Sequence, residues 1–353
     1  MVIGDRHMLK KRNMKKNRCR LLGLSMIASI GAVSAMPMSR AEAQTYSREQ
    51  FERWQTELSN WGRWGKDDQI GVLNLITPEK RVQAMALAKK GVVVSMQRKS
   101  ILIKAPPVQA GTDEPQGVMF YEVRFRAIPP GDPEHNDGFS GEVQRLNPHG
   151  GYTHVDAICH DSDGKGHLYN GADLASSVSE RGGCLKSGLD AWPNGAIVTR
   201  GILVDMTRLK AAHTPGAAVT VADLEAWEKQ TGLRVSPGDA LFAHNPGPDR
   251  EGRPTRGGFD LSVLPWMKAR GVALTSGFHS VAEASYGGQV DGLRSADHRL
   301  ALASMGLPLL DSPDLVPLSA EAARQNRWEF MLVVAPHVIP GGTGQLVNPL
   351  AMF

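Results

Sequence analysis

Apolar and polar positions change period several times along the chain, and each change marks an element. In SREQFERWQTELSNW (Ser47–Trp61) the large apolar residues fall at helical spacing behind a serine suited to an N-cap, which predicts a helix. TPEKRVQAMALAKKG (Thr77–Gly91) predicts another, with Thr77 as cap, Pro78 in the first turn and Gly91 as the stop. VVVSM (Val92–Met96) reads as a strand, and MFYEVRFRAI (Met119–Ile128) alternates with period two. Between them residues 105–116 are rich in Pro and Gly and read as a loop. Later apolar runs predict further strands: AIVTRGILVDM (Ala196–Met206), DALFAH (Asp239–His244), GVALTSG (Gly271–Gly277) and EFMLVVAPHVI (Glu329–Ile339). Helical stretches lie between several of them, at 221–230, 261–269 and 297–305. Strands alternating with helices predict an α/β class. Neither a low-complexity linker nor an internal repeat divides residues 44–353, which are expected to form one domain.

The first 43 residues depart from this pattern. A basic stretch, KKRNMKKNRCR (Lys10–Arg20), precedes the apolar run LLGLSMIASIGAVSAM (Leu21–Met36). AEA at Ala41–Ala43 then offers a small-residue cleavage site before Gln44, so residues 1–43 read as a signal peptide. The apolar run is too short and too rich in Gly and Ser for a membrane span. Cys19 separates Arg18 from Arg20, so a twin-arginine signal is not expected and the Sec type is.

Removing that segment changes the charge picture. It holds nine of the 40 Lys and Arg and two of the 36 Asp and Glu, so the formal +4 gives way to 31 basic against 34 acidic residues. The broad basic footprint of a nucleic-acid binder is absent. With 41% apolar and 22% charged residues the composition supports an ordinary core. The expectation is a periplasmic or secreted protein that acts on a small molecule and has no stable membrane insertion after cleavage. Cys159 and Cys184 remain in what would be an oxidising compartment. A disulfide and a pair of buried thiols are both compatible with that; the thiols are the favoured reading, because sequence does not show the separation of the two residues.

Several common catalytic signatures are missing. The chain has no Gly-x-Ser-x-Gly nucleophile elbow, no P-loop and no Gly-x-Gly-x-x-Gly opening a helix. DSDGKGHLYNGA (Asp161–Ala172) begins like a calcium loop, but Lys165 takes a ligand position and Ala172 stands where a bidentate Glu belongs. What remains is HGGYTHVDAICH (His149–His160). On an extended segment His154, Asp156 and His160 share parity and can face one side. Imidazole nitrogen with carboxylate oxygen suits zinc, manganese or iron(II). Spacing alone leaves two readings open: part of a metal site, or a hydrogen-bonded histidine cluster near the surface.

YTHVDAICH (Tyr152–His160) resembles the Thr-His-x-Asp-x-x-x-His signature of the metal-dependent cyclase/kynurenine formamidase (arylformamidase) family, which includes isatin hydrolases and polyketide cyclases. Four further blocks are similar to segments of its longer members, in the same order: RWGKDDQIGVLNLITPEK (Arg63–Lys80), DGKGHLYNG (Asp163–Gly171), HRLALASMGLPLLDSPDL (His298–Leu315) and EFMLVVAPHVIPGGTGQLVNPLAM (Glu329–Met352). The resemblance implies a single α/β domain with a β-barrel-like mixed sheet flanked by helices, working as a homodimer or larger homo-oligomer. It implies His154, Asp156, His298 and Asp311 as metal ligands, His160 as general acid/base, and one or two zinc or manganese ions. The small formamidases carry one more ligand histidine where this chain has Gly150; His149, one residue away, substitutes for it if the backbone bulges. Asp311 stands where those enzymes use Glu.

The expected activity is hydrolysis of a carbon–nitrogen bond in an aryl formamide or cyclic amide, with Trp61 or Trp64 available as an aromatic wall. A lactone hydrolase or polyketide-type cyclase using the same site is the alternative within enzymes. A non-catalytic metal- or ligand-binding protein is the alternative outside them.

Overall fold

The computed structural model describes residues 45–98, 121–128, 139–146, 149, 152–179, 181–248, 254–255, 257–278, 290, 292–293 and 295–353. The signal-peptide segment, the 105–116 loop and Gly150 lie outside the described residues. Among the described residues nine strands make the main sheet: β1 (Val93–Ser95), β2 (His154–Asp156), β3 (Ile197–Asp205), β4 (Ala240–His244), β5 (Leu274–Ser276), β6 (Leu309–Asp311), β7 (Glu329–Val334), β8 (Gly344–Leu346) and β9 (Leu350–Met352). Their spatial order is β1-β9-β7-β3-β4-β5-β6-β2-β8. β3, β4, β5 and β6 run parallel to their neighbours in that series, and the remaining pairs are antiparallel. The result is the mixed α/β architecture expected from the resemblance: a curled sheet, open as a half-barrel, with helices against it. Tyr121–Ile128 pairs with Phe139–Leu146 in a separate antiparallel ladder.

Residue chemistry accounts for the strand positions. β3 and β4 are buried almost throughout and read as continuous apolar runs, as parallel strands covered on both faces do. β7, paired antiparallel to both neighbours, alternates buried and half-buried positions with period two. At the amino end of β4 the buried Asp239 collects Arg200 of β3 at 2.6 Å and Lys80, while Arg200 also reaches Glu329 of β7 at 3.0 Å.

The helices start where their caps predict. Ser47 Oγ accepts from the Gln50 N–H ahead of Arg48–Glu57, and Thr77 Oγ1 accepts from Lys80 N–H ahead of Pro78–Met85. A reciprocal capping box of Thr220 and Asp223 opens Val221–Thr231. Both early helices stop sooner than their patterns predict, because tertiary hydrogen bonds capture the chain. Asn60 N–H donates to the Ser304 carbonyl, and Lys90 and Val92 both donate to the Phe353 carbonyl. The predicted helix at 297–305 is also corrected. Only Ala296–His298 is α-helical, and Arg299–Met305 is wound as a π-helix up to Gly306. Leu300–Met305 are all buried, so packing rather than propensity sets the wider turn.

Cys159 and Cys184 form a disulfide, which overturns the favoured reading of two buried thiols. The chain turns back between Val178–Ser179 and Gly183–Cys184, and Cys159 N–H donates to Ser187 O; that brings the Cα atoms to 6.4 Å. The described residues from 45 to 353 belong to one compact unit. Among the described residues no helix is long and apolar enough to cross a membrane.

Candidate metal centre

β2 is three residues long, and its neighbours decide what it presents. Asp156 lies across from Leu309 of β6 and Gly344 of β8; His154 lies across from Asp311 and Leu346. Directly opposed residues share a face, as do residues two apart on one strand. His154, Asp156 and Asp311 therefore emerge together, at the carboxyl end of the parallel strands where α/β sheets bind ligands.

The other members arrive from loops and a helix start. His149 places Nδ1 3.0 Å from Asp156 Oδ1, and Nε2 3.1 Å from Thr343 Oγ1. His160 closes the one-turn 3-10 helix Ile158–His160, and its ring stacks on that of His149 with centroids 3.8 Å apart and planes 7° from parallel. His298, in the short α-turn before the π-helix, sets Nε2 3.5 Å from Asp156 Oδ2 and 3.4 Å from Asp311 Oδ2. The structure thus brings together all six residues singled out from the sequence. Trp61 and Trp64 stand elsewhere in their contacts: Trp61 bonds the Ala303 carbonyl and meets the His167 ring, and Trp64 lies under the Arg63 guanidinium.

Among the described residues two groups of ligand atoms converge, His149 with Asp156 and His160, and His154 with Asp156 and Asp311, each within 4.8 Å. Asp156 belongs to both. Its side chain is fully buried, and among the described residues neither of its oxygens finds a well-formed hydrogen bond; nor does Oδ1 of Asp311. A buried carboxylate requires compensation. Imidazole nitrogens at 3.0 to 3.5 Å on several sides, with a second carboxylate beside them, are the donor set of a divalent cation such as zinc or manganese. The residues present fit such an ion.

Electrostatics follow from the same packing. Burial opposes charge on Asp156, but His149, His154 and His298 outweigh it and hold the carboxyl well below its usual range. Burial also opposes a proton on His154, yet Asp156, Asp311 and the Tyr152 carbonyl raise it to about 9. His298 is likewise raised well above the ordinary imidazole value against the effect of burial, by Asp297, Asp156 and Asp311. His160 goes the other way: burial, with its histidine neighbours, lowers it to about 4 in spite of Asp156.

Two orienting groups went unnoticed in the sequence. His154 Nδ1 is 2.7 Å from the Tyr152 carbonyl, which can only accept, so that nitrogen carries the hydrogen and Nε2 faces the carboxylates. Asp297 stands 3.1 Å from His298 Nδ1 and orients that ring in the same sense. A carboxylate immediately before a candidate ligand histidine was the available signal. The calcium-like stretch proves to be a turn: Asp163 Oδ1 accepts from the Lys165 and His167 N–H groups.

Residues 114–276 match a family described as "Putative cyclase". A crystal structure of a novel cyclase superposes with a TM-score of 0.66 at 24% identity, covering 85% of this chain and 99% of that one. An isatin hydrolase bound to the product analogue thioisatinate gives a TM-score of 0.49 at 17% identity, over 78% of this chain and 98% of that one. Isatin hydrolase A from Labrenzia aggregata, bound to benzyl benzoate, gives 0.48 at 17%, over 77% and 97%. No curated protein matches the chain in sequence. Residues 114–276 are thus similar to this cyclase family, and the chain shares the fold of the novel cyclase over most of its length.

Proposed function

We propose that the protein is a metal-dependent hydrolase of a carbon–nitrogen bond, exported to the periplasm or beyond, with an aryl formamide or cyclic amide as substrate class. The observation that carries the reading is the Asp156 carboxylate: fully buried, without a well-formed hydrogen bond, ringed by histidines, and next to an imidazole that stays neutral. His154, Asp156, Asp311, His298 and His149 would hold one or two zinc or manganese ions. Such an ion lowers the pKa of water and polarises a carbonyl.

The protein's own groups handle the protons and the orientation. His160 is uncharged at neutral pH, with a hydrogen on one ring nitrogen only, so the other can accept the proton of the attacking water. It then returns that proton to the departing nitrogen, which would otherwise leave as a poor anion. Stacking on His149 fixes the plane of the His160 ring and leaves its edge for this exchange. Tyr152 and Asp297 keep His154 and His298 in one orientation. Export rests on the basic and apolar N-terminal segment, and assembly as a homodimer or larger homo-oligomer on the family resemblance.

Metal content per chain, measured by elemental mass spectrometry beside a His154→Ala/Asp156→Ala control, tests the site. One or two equivalents, lost in the control, are expected. Turnover of an aryl formamide, a cyclic imide and a lactone by the loaded protein then tests the bond: preference for the lactone would move the assignment to an ester-type hydrolase, and absence of metal would remove the hydrolytic reading altogether.

A further inference from the structure

The disulfide sits one residue from His160, and the segments it joins also hold the other side of the histidine cluster. We propose that the Cys159–Cys184 bridge is a positioning element for proton transfer, fixing the turn that carries His160 relative to His149. The proposal rests on the reading of His160 as the acid–base residue.

The turn Ile158–His160 is three residues long and has little stability of its own. Its hold comes from outside. Ala157 N–H donates to the Thr343 carbonyl at 2.9 Å, and Cys159 N–H to the Ser187 carbonyl at 3.3 Å. Beyond the bridge, Cys184 N–H donates to Gly341 O at 2.9 Å and Leu189 N–H to Gly342 O at 3.0 Å. A Cβ at Gly183 would lie within 2.2 Å of Gly341 O, so these segments are in contact without slack. The same run continues to Thr343, whose hydroxyl is 3.1 Å from His149 Nε2, and the His149 ring stacks on His160. The path from His160 through Cys159, Cys184, Gly341, Thr343 and His149 closes on itself. Both sulfur-bearing residues are 3% exposed, so the link lies inside this circuit rather than on the surface. Displacement of an acid–base group by about 1 Å can cost on the order of 100-fold in rate. A bridge that only stapled the chain would affect stability and leave the chemistry alone.

The test compares the oxidised protein with a Cys159→Ala/Cys184→Ala variant. It also uses protein reduced with dithiothreitol, which gives two electrons and two protons to the bridge, leaves two cysteine thiols and becomes a cyclic disulfide itself. Histidine ring NMR on the metal-free proteins, assigned with a His160→Gln variant, should show His160 shifted and broadened. His154 and His298, held by Tyr152 and Asp297, should stay in place. The metal-loaded Ala/Ala variant should lose at least tenfold in kcat with KM and metal content unchanged. Unmoved His160 signals, or a lower melting temperature with unchanged kcat, would overturn the proposal. If even the oxidised protein turns over no substrate, the functional reading fails on that result, and the NMR comparison still decides whether the bridge positions His160.

Discussion

Gly344 of β8 stands directly across from Asp156 of β2, and the space a side chain would take there is filled by His149. A Cβ at Gly344 would lie 2.6 Å from His149 Cε1, 2.8 Å from the Val155 carbonyl and 3.2 Å from Asp156 Oδ1. The missing side chain is therefore what admits His149 to the carboxylate. Gly344→Ala should push the ring away or shift the strand, at about 1–3 kcal/mol of overpacking. Metal affinity, read by competition with a chelating dye, is expected to fall at least tenfold. Wild-type affinity in a folded Gly344→Ala protein would remove His149 from the ligand set.

Metal binding should release protons at neutral pH. In the metal-free protein His154, raised to about 9, and His298, raised well above the ordinary value, both carry a proton at pH 7. A ligating imidazole must give that proton up. Apparent affinity should therefore climb as pH rises toward 9 and fall below neutrality. Calorimetry in buffers of different ionisation enthalpy should register net proton release, whereas zero release would mean these two rings do not ligate. The stability sign follows from the same shifts. A histidine whose folded-state value lies above its unfolded one stabilises fully below about 6.5 and loses that contribution as pH rises through the folded value. Metal-free protein should melt lower at pH 9.5 than at pH 6, and bound metal should flatten that trend.

The Asp239 hub should behave as structure alone. It lies at the amino end of β4, while the histidine cluster gathers at carboxyl ends. Asp239 is fully buried and accepts from Arg200 Nε at 2.9 Å, from Arg200 Nη2 and from the Ser236 N–H. Asp239→Asn leaves Arg200 and Lys80 short of their counter-charge inside the protein. Breaking a buried pair in this way costs about 3–5 kcal/mol. Urea denaturation should show a loss of that size, with metal content per folded chain unchanged; a loss below about 1 kcal/mol would mean that water or Glu329 replaces the carboxylate.

Helix starts were legible because their caps are local: Ser47 and Thr77 with Pro78 act within four residues. Helix ends were less so, since Asn60 and Val92 answer to Ser304 and Phe353, far away in sequence. The same contrast holds at the site. His154, Asp156 and His160 were visible as one short motif, and His298 and Asp311 through the family resemblance. No periodicity could reveal Gly344, because its role comes from lying opposite Asp156 across a strand pair. Nor could it reveal the disulfide, since residue spacing is silent on how the 178–184 turn brings Cys184 back to Cys159.

In the proposed mechanism His160 is the residue on which the chemistry turns. Its ring belongs to one of the two ligand groups and also meets the demands of a base, so geometry alone allows both roles. Burial lowers its proton affinity to about 4, which leaves the ring neutral and able to accept a proton through the whole range above that value. The stacked arrangement on His149 favours proton exchange at the ring edge. His160→Ala should therefore keep its metal and its fold while kcat falls by about 100- to 10,000-fold, the usual contribution of general acid–base catalysis. Parallel measurement of metal content and turnover decides the matter. Loss of metal together with activity would instead make His160 a ligand of the His149 and Asp156 group, and the proton acceptor would have to be sought elsewhere in the pocket.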